Sequence, residues 1–91
     1  MNQTIYKFNL MVDDYQIINL PIGSKILCVQ TQRNLPCLYA MVKLNESIKH
    51  DHIIRTFGTG HDIPDNERLS YIGTYQLNNG SLVFHVFESL T

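Results

Sequence analysis

The sequence predicts an all-β domain, a compact barrel or sandwich of six to seven strands with at most one short helical turn. Three observations point there. Apolar residues recur with period two rather than 3.6, turn-forming residues interrupt them about every 8 to 12 positions, and no segment carries a convincing amphipathic helix. The whole chain of 91 residues is long enough for one domain with one core. Residues 1–91 are therefore read as a single β-rich unit.

In order along the chain, Tyr6, Phe8, Leu10 and Val12 share one face of a first strand, with Lys7 and Asn9 opposite. Asp13-Asp14 punctuates it, and Tyr15 to Leu20 resumes the alternation through Ile18 and Leu20. The expectation is a first hairpin. Pro21-Ile22-Gly23-Ser24 breaks the chain. Lys25 to Gln32 alternates Leu27 and Val29 against Cys28 and Gln30, Arg33-Asn34-Leu35-Pro36 turns, and Cys37 to Leu44 places Leu38, Ala40, Val42 and Leu44 on one face, completing a second hairpin.

Asn45-Glu46-Ser47 reads as a turn or bend, and Ile53, Ile54 and Phe57 restart a strand. The polar stretch Gly58 to Arg68 is the longest connection, the kind of loop in which function concentrates. Leu69 to Leu77, Asn78-Asn79-Gly80 and Ser81 to Glu88 form the strongest hairpin signal, because Asn and Gly tolerate positive φ cheaply. The last strand has bulky apolar groups on both faces, Leu82, Phe84 and Val86 against Val83 and Phe87, so packing against a partner subunit is expected on its second side. Summed, these segments fill about 60% of the chain against a usual 20 to 25%, and the strand ends are expected to be overcounted.

Composition excludes several classes of function. Seven Lys+Arg against eight Asp+Glu give a formal net charge of -1, which lacks the broad positive field used by binders of polymeric nucleic acid or anionic membranes. No apolar run approaches the length of a membrane-spanning helix, and Met-Asn-Gln-Thr lacks the basic and apolar regions of a signal peptide. A cytoplasmic protein is expected. The charged fraction of 16% is below the roughly 25% of ordinary domains, which favours self-association. Cys28 and Cys37 fit no disulfide framework or CxxC spacing, so free thiols are expected, with a hairpin disulfide as the minor alternative.

Residue types for a nucleophilic triad are present: His50, His52, His61 and His85, with Asp51, Asp62 and the cysteines. No GxSxG elbow accompanies them. His50 and His52 would share a strand face, but no third metal ligand is indicated by spacing. No catalytic residue, metal or cofactor is assigned.

A binding site is the better reading. Gly58-Thr59-Gly60-His61 leaves backbone N–H groups open to an anion, with the Thr59 hydroxyl and His61 as further donors. It matches neither the Walker loop nor the dinucleotide fingerprint, and a plain turn is the competing reading. Arg55, one of three arginines, lies on the strand entering that loop with a planar fork suited to phosphate or a guanine edge; a surface ion pair with Asp51, Asp62 or Glu67 is the alternative. Tyr71 and Tyr75, four apart on the strand leaving the loop, are placed on one face where a ring can stack on a base, or serve in packing.

Taken together, Ile5-Tyr6-Lys7-Phe8, Ile17 to Pro21, Gly23-Ser24-Lys25-Ile26-Leu27-Cys28-Val29-Gln30, Pro36 to Val42, Gly58 to His61, Tyr71-Ile72-Gly73-Thr74-Tyr75-Gln76 and Gly80 to Glu88 resemble a widespread family of small phage proteins. That family is identified with the anti-CBASS sponges. The resemblance implies a non-enzymatic homo-oligomer, a tetramer, that sequesters a cyclic dinucleotide such as 3′3′-cyclic GMP-AMP in the cytoplasm of the infected bacterium. The site residues Arg55, Gly58, Thr59, Gly60, His61, Tyr71 and Tyr75 come from loop chemistry and not from the resemblance. A module that blocks a host protein or forms part of a virion is the second reading, and a small hydrolase the third.

Overall fold

Seven strands, all paired antiparallel, form two sheets in a computed structural model that describes residues 2–91. In chain order they are β1 (Gln3–Asn9), β2 (Tyr15–Pro21), β3 (Lys25–Gln32), β4 (Leu35–Lys43), β5 (Lys49–Gly58), β6 (Leu69–Leu77) and β7 (Leu82–Ser89). The first sheet has the order β1-β4-β3 and the second β2-β5-β7-β6. The arrangement is an open sandwich and not a closed barrel.

Alternation decides which side chains meet between the layers. Leu38, Ala40 and Val42 of β4 face Leu20 of β2, Ile54 of β5 and Val86 of β7, and Leu10, Ile18, Val29, Tyr75 and Leu77 complete the buried cluster. Leu20, Leu38, Ala40, Ile54 and Val86 have no solvent exposure. Of the face expected to carry Tyr6, Phe8, Leu10 and Val12, only Leu10 is buried and Phe8 packed against the core; Tyr6 and Val12 stay exposed.

The hairpins β3–β4 and β6–β7 form as the turn chemistry dictates. Arg33 and Asn34 both have positive φ, 53° and 62°, the geometry of a two-residue turn whose twist matches the flanking strands. Asn78, Asn79 and Gly80 also have positive φ. The two turns meet, since the Asn78 backbone N–H donates to Asn34 Oδ1.

Two expectations are corrected. β1 and β2 are not a hairpin: β1 pairs with β4 and β2 with β5, so Asp13-Asp14 carries the chain from one sheet to the other. Alternation settles which face of a strand is buried and says nothing about its neighbour. Gln16 fixes this crossover, its amide accepting from the Met11 N–H and donating to the Met11 carbonyl. The second correction concerns strand content. It is 64%, so the sequence count was not excessive; the connections are short apart from residues 59–68, and β5 begins at Lys49, ahead of the apolar restart at Ile53.

Both sheets are irregular where they touch along β3 and β6. The register shifts between Ile26 and Cys28 on β3 and between Tyr71 and Gly73 on β6. At Gly73 the β6 backbone comes so near β3 that a Cβ would lie 2.9 Å from Val29 Cγ2 and 3.5 Å from the Val29 backbone nitrogen. A glycine is what this approach requires.

Candidate functional site

The outer face of the second sheet gathers most of the residues singled out from sequence. Strand register places Tyr15, Arg55, Phe87 and Tyr71 in one row across all four strands. Phe57, His85 and Thr74 form the next row. Phe87 meets Tyr71 edge to face at 5.4 Å between ring centroids and Phe57 at 6.0 Å. These are favourable aromatic geometries.

Beside this aromatic row runs a polar chain. Thr59 Oγ1 lies 2.7 Å from His85 Nε2, His85 Nδ1 lies 3.0 Å from Thr74 Oγ1, and Thr74 Oγ1 lies 2.5 Å from the Tyr71 hydroxyl. A neutral imidazole has one N–H and one lone pair, so His85 donates to one threonine and accepts from the other. Every group in this chain has an exposed hydrogen bond, and each hydroxyl can exchange its partner for a ligand atom.

The loop glycines act differently from expectation. The His61 ring folds back over Gly58, where a Cβ would fall 2.8 Å from His61 Cε1, and the His61 N–H donates to the Gly58 carbonyl. Gly58 thus accommodates an imidazole. Gly60 has φ +86° with open space around it, so it serves the turn geometry. Thr59 is the residue of this loop that joins the polar chain.

Arg55 is held by its own surroundings. Its guanidinium pairs with the Glu67 carboxylate, its Nε donates to the Asp14 carbonyl at 3.1 Å, and its Cζ lies 5.0 Å from the Phe57 ring centroid and 5.9 Å from that of Tyr15. The ion-pair alternative, with Glu67 as partner, is what the fold realises. Both side chains are less than a fifth exposed, and Glu67 Oε2 is buried without a partner among the described residues. Glu67→Gln should therefore lower stability by about 1–3 kcal/mol, less than a deeply buried pair because Arg55 keeps its Asp14 bond and ring contacts. Urea denaturation measures this; an unchanged midpoint would assign the pair no structural value.

Tyr71 and Tyr75 do not share a face. The register shift at Gly73 inverts the alternation between them, leaving Tyr71 59% exposed and Tyr75 3%. Tyr75 packs on Phe84 in the core, and burial raises its phenol pKa above the ordinary value. Tyr75 belongs to packing and leaves the candidate site. Thr74 takes its place, and with His85, Phe57 and Phe87 it is a site residue that loop chemistry overlooked. The signal was the β6–β7 register, which an Asn-Asn-Gly turn implies but a bulge offsets.

The remaining titratable groups are dispersed. His52 pairs with Glu88 at 2.6 Å, and Asp51 accepts from the Asn19 amide. Among the described residues no three His, Cys, Asp or Glu side chains are grouped to hold a metal ion. Cys28 and Cys37 are free thiols. No helix among the described residues is long and apolar enough to cross a membrane.

A family model described as a domain of unknown function, DUF7352, matches residues 1–91. No curated protein and no solved structure matches this chain.

Proposed function

From a chain that belongs to the DUF7352 family across residues 1–91, we propose a non-enzymatic binding protein that sequesters a small cyclic oligonucleotide signal, such as 3′3′-cyclic GMP-AMP, and keeps it from a host anti-phage effector. The observation carrying this reading is the chain Thr59–His85–Thr74–Tyr71 beside an exposed aromatic ring. A base stacks on a ring of this kind at about 1–3 kcal/mol, and hydroxyl and imidazole groups bond base edges or phosphate oxygens. His85 lies between two threonine hydroxyls rather than between a nucleophile and an orienting carboxylate, which favours binding over turnover.

An exposed apolar face supports the same reading. Tyr15, Ile17 and Tyr71 are each more than half exposed on one sheet face, and copies of the chain, four in the assembly proposed, would cover this face and bring two sites to a two-fold symmetric ligand. Sequestration then follows by mass action when sites exceed signal and the dissociation constant lies below the effector threshold. The place of action is the cytoplasm of the infected bacterium.

The test is incubation with a panel of cyclic di- and trinucleotides, heat release, and chromatography of the supernatant. Intact nucleotide is expected, with affinity lowered about 5- to 150-fold in Tyr71→Ala, the range that loss of one stacked base implies. His85→Ala should weaken it as well. No binding across the panel overturns the proposal, and a cleaved product makes the protein an enzyme.

The exposed apolar row also favours a second reading, a module that docks on a host protein or in a virion. A stoichiometric host protein in a pull-down, with no nucleotide recovered, would select it.

A further inference from the structure

The net charge of -1 conceals a separation of charge between the two sheets. Strands β1, β3 and β4, with the turn joining β3 to β4, carry Lys7, Lys25, Arg33 and Lys43 and no aspartate or glutamate. The eight acidic residues lie elsewhere: Asp51, Asp62, Asp65, Glu67 and Glu88 on the second sheet and its long loop, and Asp13, Asp14 and Glu46 on the connections between the sheets. The first sheet therefore presents a cationic surface on a chain that is neutral as a whole.

That surface contains a cleft of about 450 Å³, lined by Lys7, Asn9, Gln32, Arg33, Leu35 and Cys37. Three strands and a turn converge there: Asn9 pairs with Cys37, and Gln32 with Leu35. Cys37 is buried at the base, and Leu35 is 67% exposed. Lys7 Nζ donates to Gln32 Oε1 at 2.7 Å, which holds the ammonium over the cleft, and no carboxylate is among the lining residues. Among the described residues neither Lys7 nor Arg33 is in an ion pair.

Arg33 supplies an independent observation. It has φ 53°, a left-handed conformation that favours Gly, Asn or Asp at this turn position and costs a long side chain energy. Local strain of this kind persists where the side chain's placement has value, and here the turn places Arg33 with Lys7 among the residues lining the cleft.

We propose that this cleft binds a small organic phosphate, its phosphate group held between Lys7 and Arg33, its apolar part against Leu35, and its polar edge read by the Asn9 and Gln32 amides. Arginine and lysine together recognise phosphate by fork geometry and by point charge, and the volume falls within the usual range of small-ligand sites, about 300–1,000 Å³. The site is on the opposite face from Thr59, His85 and Tyr71 and does not depend on the function proposed for them.

Titration of the isotopically labelled full chain with adenosine 5′-monophosphate, followed by amide chemical shifts, tests this. Saturating shifts should cluster at Lys7, Asn9 and Gln32 to Leu35. Affinity should fall at least 10-fold in Lys7→Gln and in Arg33→Asn, the latter chosen because asparagine accepts the left-handed turn, and it should fall with added salt. Lys49→Gln, which removes a cation of the second sheet, should bind as the parent does, which separates this cleft from the other face. Asn9→Asp, which leaves both cations in place and adds a repelling charge, should also abolish the shifts. Absence of saturating shifts in the cleft overturns the proposal. So do equal shifts around Lys49 and Arg68, binding of adenosine as tight as that of its monophosphate, or unchanged affinity in folded Lys7→Gln and Arg33→Asn variants.

Discussion

Ile54→Ala should lower the stability of this domain by about 2–5 kcal/mol, the range for emptying a buried aliphatic site. Ile54 lies on β5, an interior strand of its sheet, with no solvent exposure, and it packs into the cluster with Leu20, Leu38 and Val86. Strands on both sides and a second sheet above leave the neighbours little room to collapse into the vacancy, so the cavity penalty adds to the lost transfer energy. Small domains hold only about 5–15 kcal/mol in total, and one such change removes a large part of it. The reading is a lower urea midpoint with an unchanged slope. A loss under about 1 kcal/mol would mean that the layers are not close-packed at this position.

The second large effect is at Gly73. Gly73→Ala should cost about 1–3 kcal/mol through overpacking, because the new methyl meets Val29 Cγ2 at 2.9 Å with the Val29 backbone directly behind. Valine is stiff at χ1 and cannot swing aside cheaply. Val29 is itself nearly fully buried, so Val29→Ala alone also destabilises. The double variant should be more stable than the two single losses predict, with a coupling of about 1 kcal/mol. Strict additivity would show that β3 and β6 do not approach as described.

What the sequence reveals and what it conceals divide along the range of the interactions. Turn chemistry at Arg33-Asn34 and Asn78-Asn79-Gly80 is local, and both hairpins were legible. Alternation along β4 also marked Leu38, Ala40 and Val42 as core. The partners of β1 and β2 were not legible, because two short strands flanking Asp13-Asp14 look the same whether they pair with each other or with strands further along. A single extra residue near Gly73 turned Tyr75 inward and brought Thr74 outward beside Tyr71 and His85.

The candidate site follows the same division. Thr59 and Tyr71 were recognisable by type and position, yet their link runs through His85, whose neighbours are set by pairing between strands. For Arg55 the sequence offered both a ligand and an ion pair with Asp51, Asp62 or Glu67, and the choice of Glu67, twelve residues away across a polar loop, is made only once that loop folds over β5. Net charge was legible, but its distribution was not. A sum near zero carries no record of which sheet holds the cations.

The exchange of chain between sheets at Asp13-Asp14 bears on the order in which the molecule assembles. The hairpins β3–β4 and β6–β7 close short loops and form early. β1 and β2 wait for distant sequence: β2 has no ladder until β5 exists, so at synthesis the first twenty or so residues leave the ribosome long before Arg55 supplies the last of their strand partners. Non-local pairing of this kind slows folding, and during that interval the apolar sides of both leading strands are open to chance contacts. Lys7 in β1 and Pro21 at the end of β2 are residue types that discourage edge-to-edge association. The crossover that gives the finished domain its two layers thus leaves its two leading strands without ladders until β4 and β5 are in place.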